Sequence, residues 1–385
     1  MGEKGCETPP MKRLTTRAAV LVGCIVAGGS CSSYVPIDSE QQLRAALRDR
    51  LSAEQAATIV VPFALPPEVL SAIDQRLVAN ANERRRVDAV LDYIFGELKL
   101  EYSLAPTRDA AETFRSRRGN CLSFTNLFVA IARRQRLNPF YVEVTDYQRW
   151  NYRDGQVVSQ GHIVAGLYVA NELQTFDFLP YRPKSYKSFR PIDEARATAH
   201  FYNNLGAEAL FEGDIERASE MIGLAHRIAP DFVKATNNLG VVLSRQGRFD
   251  EAAELFRKGL AFEPDDIALL TNLAALERRL GRRQEAERLL ASIEGVNNTN
   301  PFFFLAQAEA ALAANELDKA KKLLVEALRR DSEAPEVHVG FVKFYLAEGD
   351  YAKARHHLAR ALRADPSNGE AQRLGALLAA GKGSS

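Results

Sequence analysis

Hydrophobic and polar positions follow two different periods along this chain. Between about residues 58 and 191 the pattern is mixed. Apolar residues recur at helical spacing over Leu70–Leu77 and over Arg84–Leu98, where Val87, Val90, Leu91, Ile94 and Phe95 share one face. A third helix is predicted from Cys121 to Arg134, with Leu122, Leu127, Phe128, Ile131 and Ala132 turned inward. β-Branched and aromatic runs then read as strands at Phe140–Val144, Gly161–Val169 and Leu173–Leu179. Asp146–Ser159 is polar and holds the one tryptophan, Trp150, so a loop is expected there. Upstream, residues 32–56 read as a tether interrupted by a short helix at Gln41–Leu47.

From about residue 199 the chain repeats in steps of 34. Ala218, Ala252, Ala286, Ala320 and Ala354 hold one register through five repeats, and Gly213, Gly247, Gly281, Asn315 and Gly349 hold another. Pro230, Pro264 and Pro366 mark repeat ends. This pattern resembles the tetratricopeptide repeat. The resemblance implies antiparallel helix pairs, with the small residue at each close approach and the Gly or Asn supplying a left-handed turn. Five repeats are expected over 199–368, followed by a capping helix at Gly369–Ala380 and a tail to 385.

The N-terminal 31 residues read differently. Lys12, Arg13 and Arg17 precede an apolar run from Ala18 to Gly29 and then Ser30-Cys31, which is the layout of a secretory signal starting at Met11. The run is too short to span a bilayer. The cysteine makes it resemble a bacterial lipoprotein signal, which implies a lipidated first residue. Leu21-Val22-Gly23-Cys24 is the better box but leaves an h-region of only about six residues. Gly28-Gly29-Ser30-Cys31 leaves the proper length, which favours lipidation at Cys31. The mature chain is then expected in the cell envelope, lipid-anchored to the membrane and facing the periplasm or the exterior. Of the four cysteines, only Cys121 remains as a thiol after such processing. A lone thiol in an oxidising compartment is either inert and buried or kept for its chemistry.

The segment Thr113-Phe114-Arg115-Ser116-Arg117-Arg118-Gly119-Asn120-Cys121 opens the third helix. It resembles the nucleophile motif of the transglutaminase-like superfamily, papain-like cysteine enzymes in which Arg-x-Gly-x-Cys leads into a helix ending in an alanine–arginine pair, here Ala132-Arg133. That family places a His at the start of one strand and an Asp on the next. Gly161-His162-Ile163-Val164 and Thr175-Phe176-Asp177-Phe178 supply them fifteen positions apart. The resemblance covers 60–190, implies an α+β domain over 57–195, and identifies Cys121, His162 and Asp177 as its triad. Residue physics points the same way. Cys121 at a helix N-terminus meets the positive end of the dipole, and Arg115, Arg117 and Arg118 are expected to favour its thiolate. If Ala170-Asn171 is a hairpin turn, residues whose numbers total 341 face each other. His162 then lies diagonal to Asp177, about 7–8 Å apart at the backbone, a gap two side chains can close. Asp177 would orient the imidazole and leave its other nitrogen for Cys121. Trp150 either covers the acyl site or pins its own loop.

In the tetratricopeptide family the sixth position of each repeat faces a concave groove, and Asn204, Asn238 and Asn272 occupy it here. Such a ladder can hold the backbone of an extended peptide through paired donors and acceptors. Lys234, Arg245, Arg278 and Arg279 would make repeats two and three basic, while Phe302, Leu305, Leu312, Val339 and Leu346 make repeats four and five apolar. A peptide or protein partner follows. Fifty basic against 49 acidic residues leave a net charge of +1, which argues against a nucleic-acid partner. No cofactor is expected, and no metal either, since the remaining His residues lack ligand spacing. The sequence therefore points to an envelope-tethered cysteine hydrolase or acyltransferase of amide bonds. Its rival is a non-enzymatic lipoprotein scaffold that uses the repeats for assembly.

Overall fold

The computed structural model describes residues 39–77, 82–153, 155–170, 172–179, 188–293, 299–366 and 368–380. The signal segment, with Cys24 and Cys31, lies outside the described residues, as does Asn171. The chain forms two compact units, Met1–Arg149 with Gln160–Ala235, and Trp150–Ser159 with Thr236–Ser385.

In the first unit, helices α1 (Glu40–Ala46) and α2 (Ala53–Thr58) each open with a capping box, Ser39 with Gln42 and Ser52 with Gln55. Leu43, Leu47 and Leu51, one turn apart, are buried in the unit's core. The second half of the expected tether is thus part of the fold. Each buried leucine contributes about 1.5–3 kcal/mol, which a solvated tether would forgo. Helices α3 (Pro67–Arg76) and α4 (Glu83–Asp92) follow, α4 running on into a π-helical turn at Tyr93–Glu97. Short strands β1 (Glu101–Tyr102) and β2 (Arg118–Gly119) pair in parallel around α5 (Ala110–Ser116). Helix α6 runs from Cys121 to Arg134 and is buried from Leu122 to Ala132.

Four strands form the main sheet: β3 (Phe140–Arg153), β4 (Gln156–Val169), β5 (Glu172–Phe176) and β6 (Phe189–Ile192), in the order β5-β4-β3-β6. Ala165 faces Phe176 and Val169 faces Glu172, which is the register totalling 341. The loop expected at Asp146–Ser159 is instead the far end of the β3–β4 hairpin. Its sequence carries the signal that polarity obscures, the dipeptide Asp154-Gly155, and Gly155 has a φ of +79°.

The first repeat, α7 (Glu194–Glu212) and α8 (Ile215–Ile228), belongs to this first unit. Buried Glu194 pairs with Arg133 of α6, the Tyr202 hydroxyl accepts from Val60 N at 2.7 Å, and Arg50 donates to Ile228 O at 2.7 Å. These bonds explain why compactness does not change at the start of the repeats.

The second unit carries the remaining helices α9 (Val233–Arg245, which begins in the first unit), α10 (Phe249–Phe262), α11 (Ile267–Arg279), α12 (Arg283–Ala291), α13 (Pro301–Ala313), α14 (Leu317–Arg330), α15 (Pro335–Glu348), α16 (Tyr351–Ala364) and α17 (Gly369–Ala380). All five register alanines are 0% exposed. The turn positions Gly213, Gly247, Gly281, Asn315 and Gly349 all have positive φ, between 59° and 85°. Ala286→Leu should therefore overpack a helix contact and cost about 1–3 kcal/mol. Urea unfolding followed by circular dichroism measures it; an unchanged midpoint would mean the site is not close-packed.

Candidate active site

Cys121 is placed by the three residues before it. A Cβ on Gly119 would lie 2.6 Å from Ser123 Cβ, so only glycine lets β2 run this close to the first turn of α6. Asn120 caps that helix: its Oδ1 accepts from Ser123 N at 3.0 Å and from Ser123 Oγ at 3.1 Å. Its Nδ2 donates to Thr107 Oγ1 at 2.7 Å, and Thr107 donates in turn through N and Oγ1 to Glu208 of α7, at 2.8 and 2.7 Å to Oε1. Ser123 Oγ also accepts from Arg108 N at 2.8 Å. Burial raises the pKa of Glu208, and its bonds to Thr107 oppose that rise. The first turn of α6 is thus held from behind by a hydrogen-bond chain that reaches the first repeat. Sequence reasoning misses Thr107, Asn120 and Glu208. The spacing Asn120-x-x-Ser123 is the one signal available for them.

Cys121 is the first residue of the fourteen-residue α6, half-buried and in no disulfide. Its carbonyl accepts from Thr125 Oγ1 at 2.9 Å. His162 on β4 is 2% exposed, and its Nε2 stands 3.1 Å from Asp177 Oδ1. Asp177 lies one residue past β5, where its Oδ1 also accepts from Leu179 N at 3.1 Å. Its neighbours Phe176 and Phe178 both pack with tilted rings against Phe128 of α6, with ring centroids 4.8 and 5.7 Å away. The segment carrying the carboxylate is therefore pinned to the helix carrying the thiol. Burial alone would lower the pKa of His162. Its close pairing with Asp177 and then its interaction with Cys121 outweigh burial and push the imidazole up to about 10. With Nε2 turned to Asp177, Nδ1 is the nitrogen left for the thiol. Cys121, His162 and Asp177 thus meet in one place, in the order Cys–His–Asp.

The arginines are placed otherwise. Arg115, Arg117 and Arg118 are all exposed; Arg115 pairs with Glu68 at 2.9 Å, and Arg118 lies 3.8 Å from Glu101. Solvent screens charges so placed, and the titratable group that interacts with Cys121 is His162. Trp150 packs in the second unit against the core of the repeats, in keeping with a pinning role.

The asparagine ladder is gripping a peptide backbone, and the backbone is the chain's own. Asn238 Oδ1 accepts from Ser159 N at 2.9 Å and its Nδ2 donates to Ser159 O at 2.8 Å. Asn272 does the same to Val157, at 2.8 Å each way. Asn204, in the first unit, is buried, and its Oδ1 accepts no hydrogen bond from the described residues. The expected basic groove is also committed internally. Lys234 is buried in the first unit with its Nζ 3.2 Å from Glu143, a carboxylate that Arg190 also contacts at 2.5 Å. Arg278 is half-buried, which lowers its pKa, while Tyr152 and Glu309 nearby act to raise it. Arg279 lies 4.5 Å over the Phe249 ring, and Arg245 is half-buried. Of the apolar residues, Phe302 stacks on Tyr152 at 5.6 Å.

A family model described as the transglutaminase-like superfamily matches residues 71–178. Models described as tetratricopeptide repeats match 203–267, 243–301 and 311–378. No curated protein matches the chain. Similar solved structures include a thermophilic tetratricopeptide protein of Thermus thermophilus, with 22% identity over 47% of this chain and 97% of that one, at a TM-score of 0.42. PilF of Pseudomonas aeruginosa matches with 26% identity over 48% of this chain and 83% of its own, at 0.37. YrrB, described as a tetratricopeptide protein with an unusual peptide-binding site, matches with 18% identity over 46% and 90%, at 0.30.

A raised imidazole pKa has a definite consequence for stability. The contribution of His162 is complete below its ordinary value of 6.5 and is lost as pH climbs toward about 10. Asp177→Asn removes the largest raising influence, so His162 should titrate lower and lose this contribution at lower pH. Proton NMR of the His162 ring follows it directly; an unmoved midpoint would dissociate Asp177 from the imidazole.

Proposed function

We propose that this chain, a transglutaminase-like domain followed by tetratricopeptide repeats, is a cysteine hydrolase that cleaves amide or peptide bonds through a thioester on Cys121. The observation carrying this reading is the convergence of Cys121, His162 and Asp177, with the imidazole held strongly basic between thiol and carboxylate. A basic imidazole beside a thiol can take its proton, and the thiolate is the nucleophilic form of a cysteine.

Attack of Sγ on the substrate carbonyl forms the C–S bond and moves the π pair onto oxygen. The Cys121 backbone N–H, at the N-terminus of α6, is one donor for that oxyanion. The His162 proton passes to the leaving nitrogen, the C–N bond breaks and the amine departs. Neutral His162 then takes a proton from water as it adds to the thioester, and the acid is released with Cys121 again the thiolate and His162 again the imidazolium. An amine in place of water would give transfer instead of hydrolysis. Asp177 keeps Nε2 engaged throughout and leaves Nδ1 for the shuttle. In this reading a lipid on Cys31 anchors the enzyme in the envelope, and the repeats place it among protein partners.

Iodoacetamide distinguishes the enzyme from a scaffold. Cys121 should react readily near pH 6, and His162→Ala should slow it roughly 100-fold, because a cysteine without a basic partner is a poor nucleophile at that pH. Asp177→Asn should fall between the two. Labelling indifferent to His162 would sink the catalytic reading. The anchor has its own test. Cys31→Ser should release the protein from the membrane fraction in detergent partitioning; retention in that variant, with release in Cys24→Ser, moves the lipid to Cys24.

A further inference from the structure

Backbone N–H groups fix the direction of every hydrogen bond behind the first turn of α6. Arg108 N and Ser123 N can only donate, so Ser123 Oγ accepts from the first and Asn120 Oδ1 from the second. Ser123 Oγ then gives its own proton to Asn120 Oδ1. With its oxygen so placed, the Asn120 amide turns Nδ2 to Thr107 Oγ1 at 2.7 Å and to Leu104 O at 3.5 Å. The Thr107 hydroxyl accepts that bond and has one proton to give, which goes to Glu208 Oε1, also 2.7 Å away. Thr107 N adds a second donor to the same oxygen at 2.8 Å and lies 3.0 Å from Oε2. From Ser123 onward each donor points toward Glu208. A carboxylate, which only accepts, is the group suited to end such a chain.

The chain has little slack. Thr107, Asn120 and Ser123 are each 5% exposed or less, and a buried polar group is costly to leave unpaired. An N-cap needs only its own side-chain oxygen to serve its helix. Here the other end of the amide is tied as well, through Thr107 to α7 of the same compact unit. Asn120 is thereby held extended, at φ −90° and ψ −175°, and Cys121 is the next residue. The direction in which α6 begins, and with it the place of the Cys121 thiol and N–H, follows from how Asn120 is held. Asp177 orients the imidazole of the site; this chain stands on the side of the thiol.

We propose that Glu208, acting through Thr107 and Asn120, is a positioning residue for Cys121, fixing the turn from which the thiol meets His162. The proposal rests on the catalytic reading of Cys121 and His162. A small displacement of a reacting group costs much of its rate. Interaction with Cys121 is also one of the influences that hold the His162 imidazole high. Moving Cys121 therefore shows in two places, the reactivity of the thiol and the titration of the His162 ring.

The test uses the full chain, with iodoacetamide at pH 6 for the Cys121 rate and proton NMR for the His162 midpoint. Thr107→Val keeps the shape of the side chain and removes the hydroxyl that joins Asn120 to Glu208. It should slow alkylation roughly tenfold and lower the His162 midpoint. Glu208→Ala should do the same. Glu208→Gln should stay close to the parent, because its amide oxygen can accept both bonds that Oε1 accepts. The double variant Thr107→Val/Glu208→Ala should be no slower than Glu208→Ala, since both changes break one chain. Ile73→Ala is the control: it opens a cavity at a 0% exposed position of α3 in the same unit and belongs to no part of the chain. It should lower the urea midpoint and leave both readouts in place. Parent values in Thr107→Val and Glu208→Ala would overturn the proposal, as would an equal change in Ile73→Ala or additive losses in the double variant. If His162→Ala leaves the alkylation rate unchanged, the catalytic reading fails and the proposal with it. A His162-dependent rate that ignores Thr107→Val and Glu208→Ala removes the positioning role alone.

Discussion

The bare edge of β4 is the constraint on which most of this molecule depends. A buried backbone donor or acceptor without a partner costs about 1–3 kcal/mol, and β4 extends nine residues beyond its pairing with β5. Three devices in succession meet hydrogen-bonding groups along it: β5 from Val169 to Ala165, the Thr125 hydroxyl at Ile163 O, and side-chain amides at Ser159 and Val157. His162 lies between the second device and the third. No neighbouring strand on that edge reaches it among the described residues.

The electrostatics of the site become clear by contrast with a second buried histidine in the same unit. His200 is 1% exposed and its Nε2 lies 3.4 Å from Glu143, a setting superficially like that of His162 beside Asp177. Burial nevertheless pushes His200 down to about 4, whereas His162 is pushed up to about 10. Burial is the largest influence on both, and their other neighbours act in opposite senses. Lys234 and Arg196 stand near His200 and work against its charging, and Lys234 and Arg190 already neutralise Glu143. His162 has no such cation among its causes of shift; both Asp177 and Cys121 favour its charged form. One carboxylate is a structural counter-ion with its valence used up. The other is available to hold an imidazolium.

What could be read from the sequence was what local pattern determines. The span of α6, the 341 register and the buried alanine ladder each depend on spacing within a few turns or one hairpin, and each appears as the residues implied. Failures came where distant parts of the chain decide. Leu43, Leu47 and Leu51 look like a weak amphipathic stretch until a core exists to receive them. Lys234 reads as a groove cation, yet Glu143, 91 positions away, has claimed it. Residues 146–159 read as a loop because their alternation is masked by polar and aromatic types, and Asn238 and Asn272, which satisfy their backbone, lie 79 and 115 positions on.

The asparagines show most clearly how a correct chemical reading can still miss its object. Spacing and residue type sufficed to recognise groups suited to gripping an extended backbone; nothing local could say whose backbone. A tethered ligand competes at an effective concentration on the order of millimolar. An outside peptide offering only the same two residue contacts would lose to the hairpin at ordinary cellular levels. A partner of the repeats must therefore either bind a face that Asn238 and Asn272 do not serve, or bring enough additional contact to displace Val157 and Ser159. In the second case binding would leave the backbone groups of Val157 and Ser159 in need of new partners.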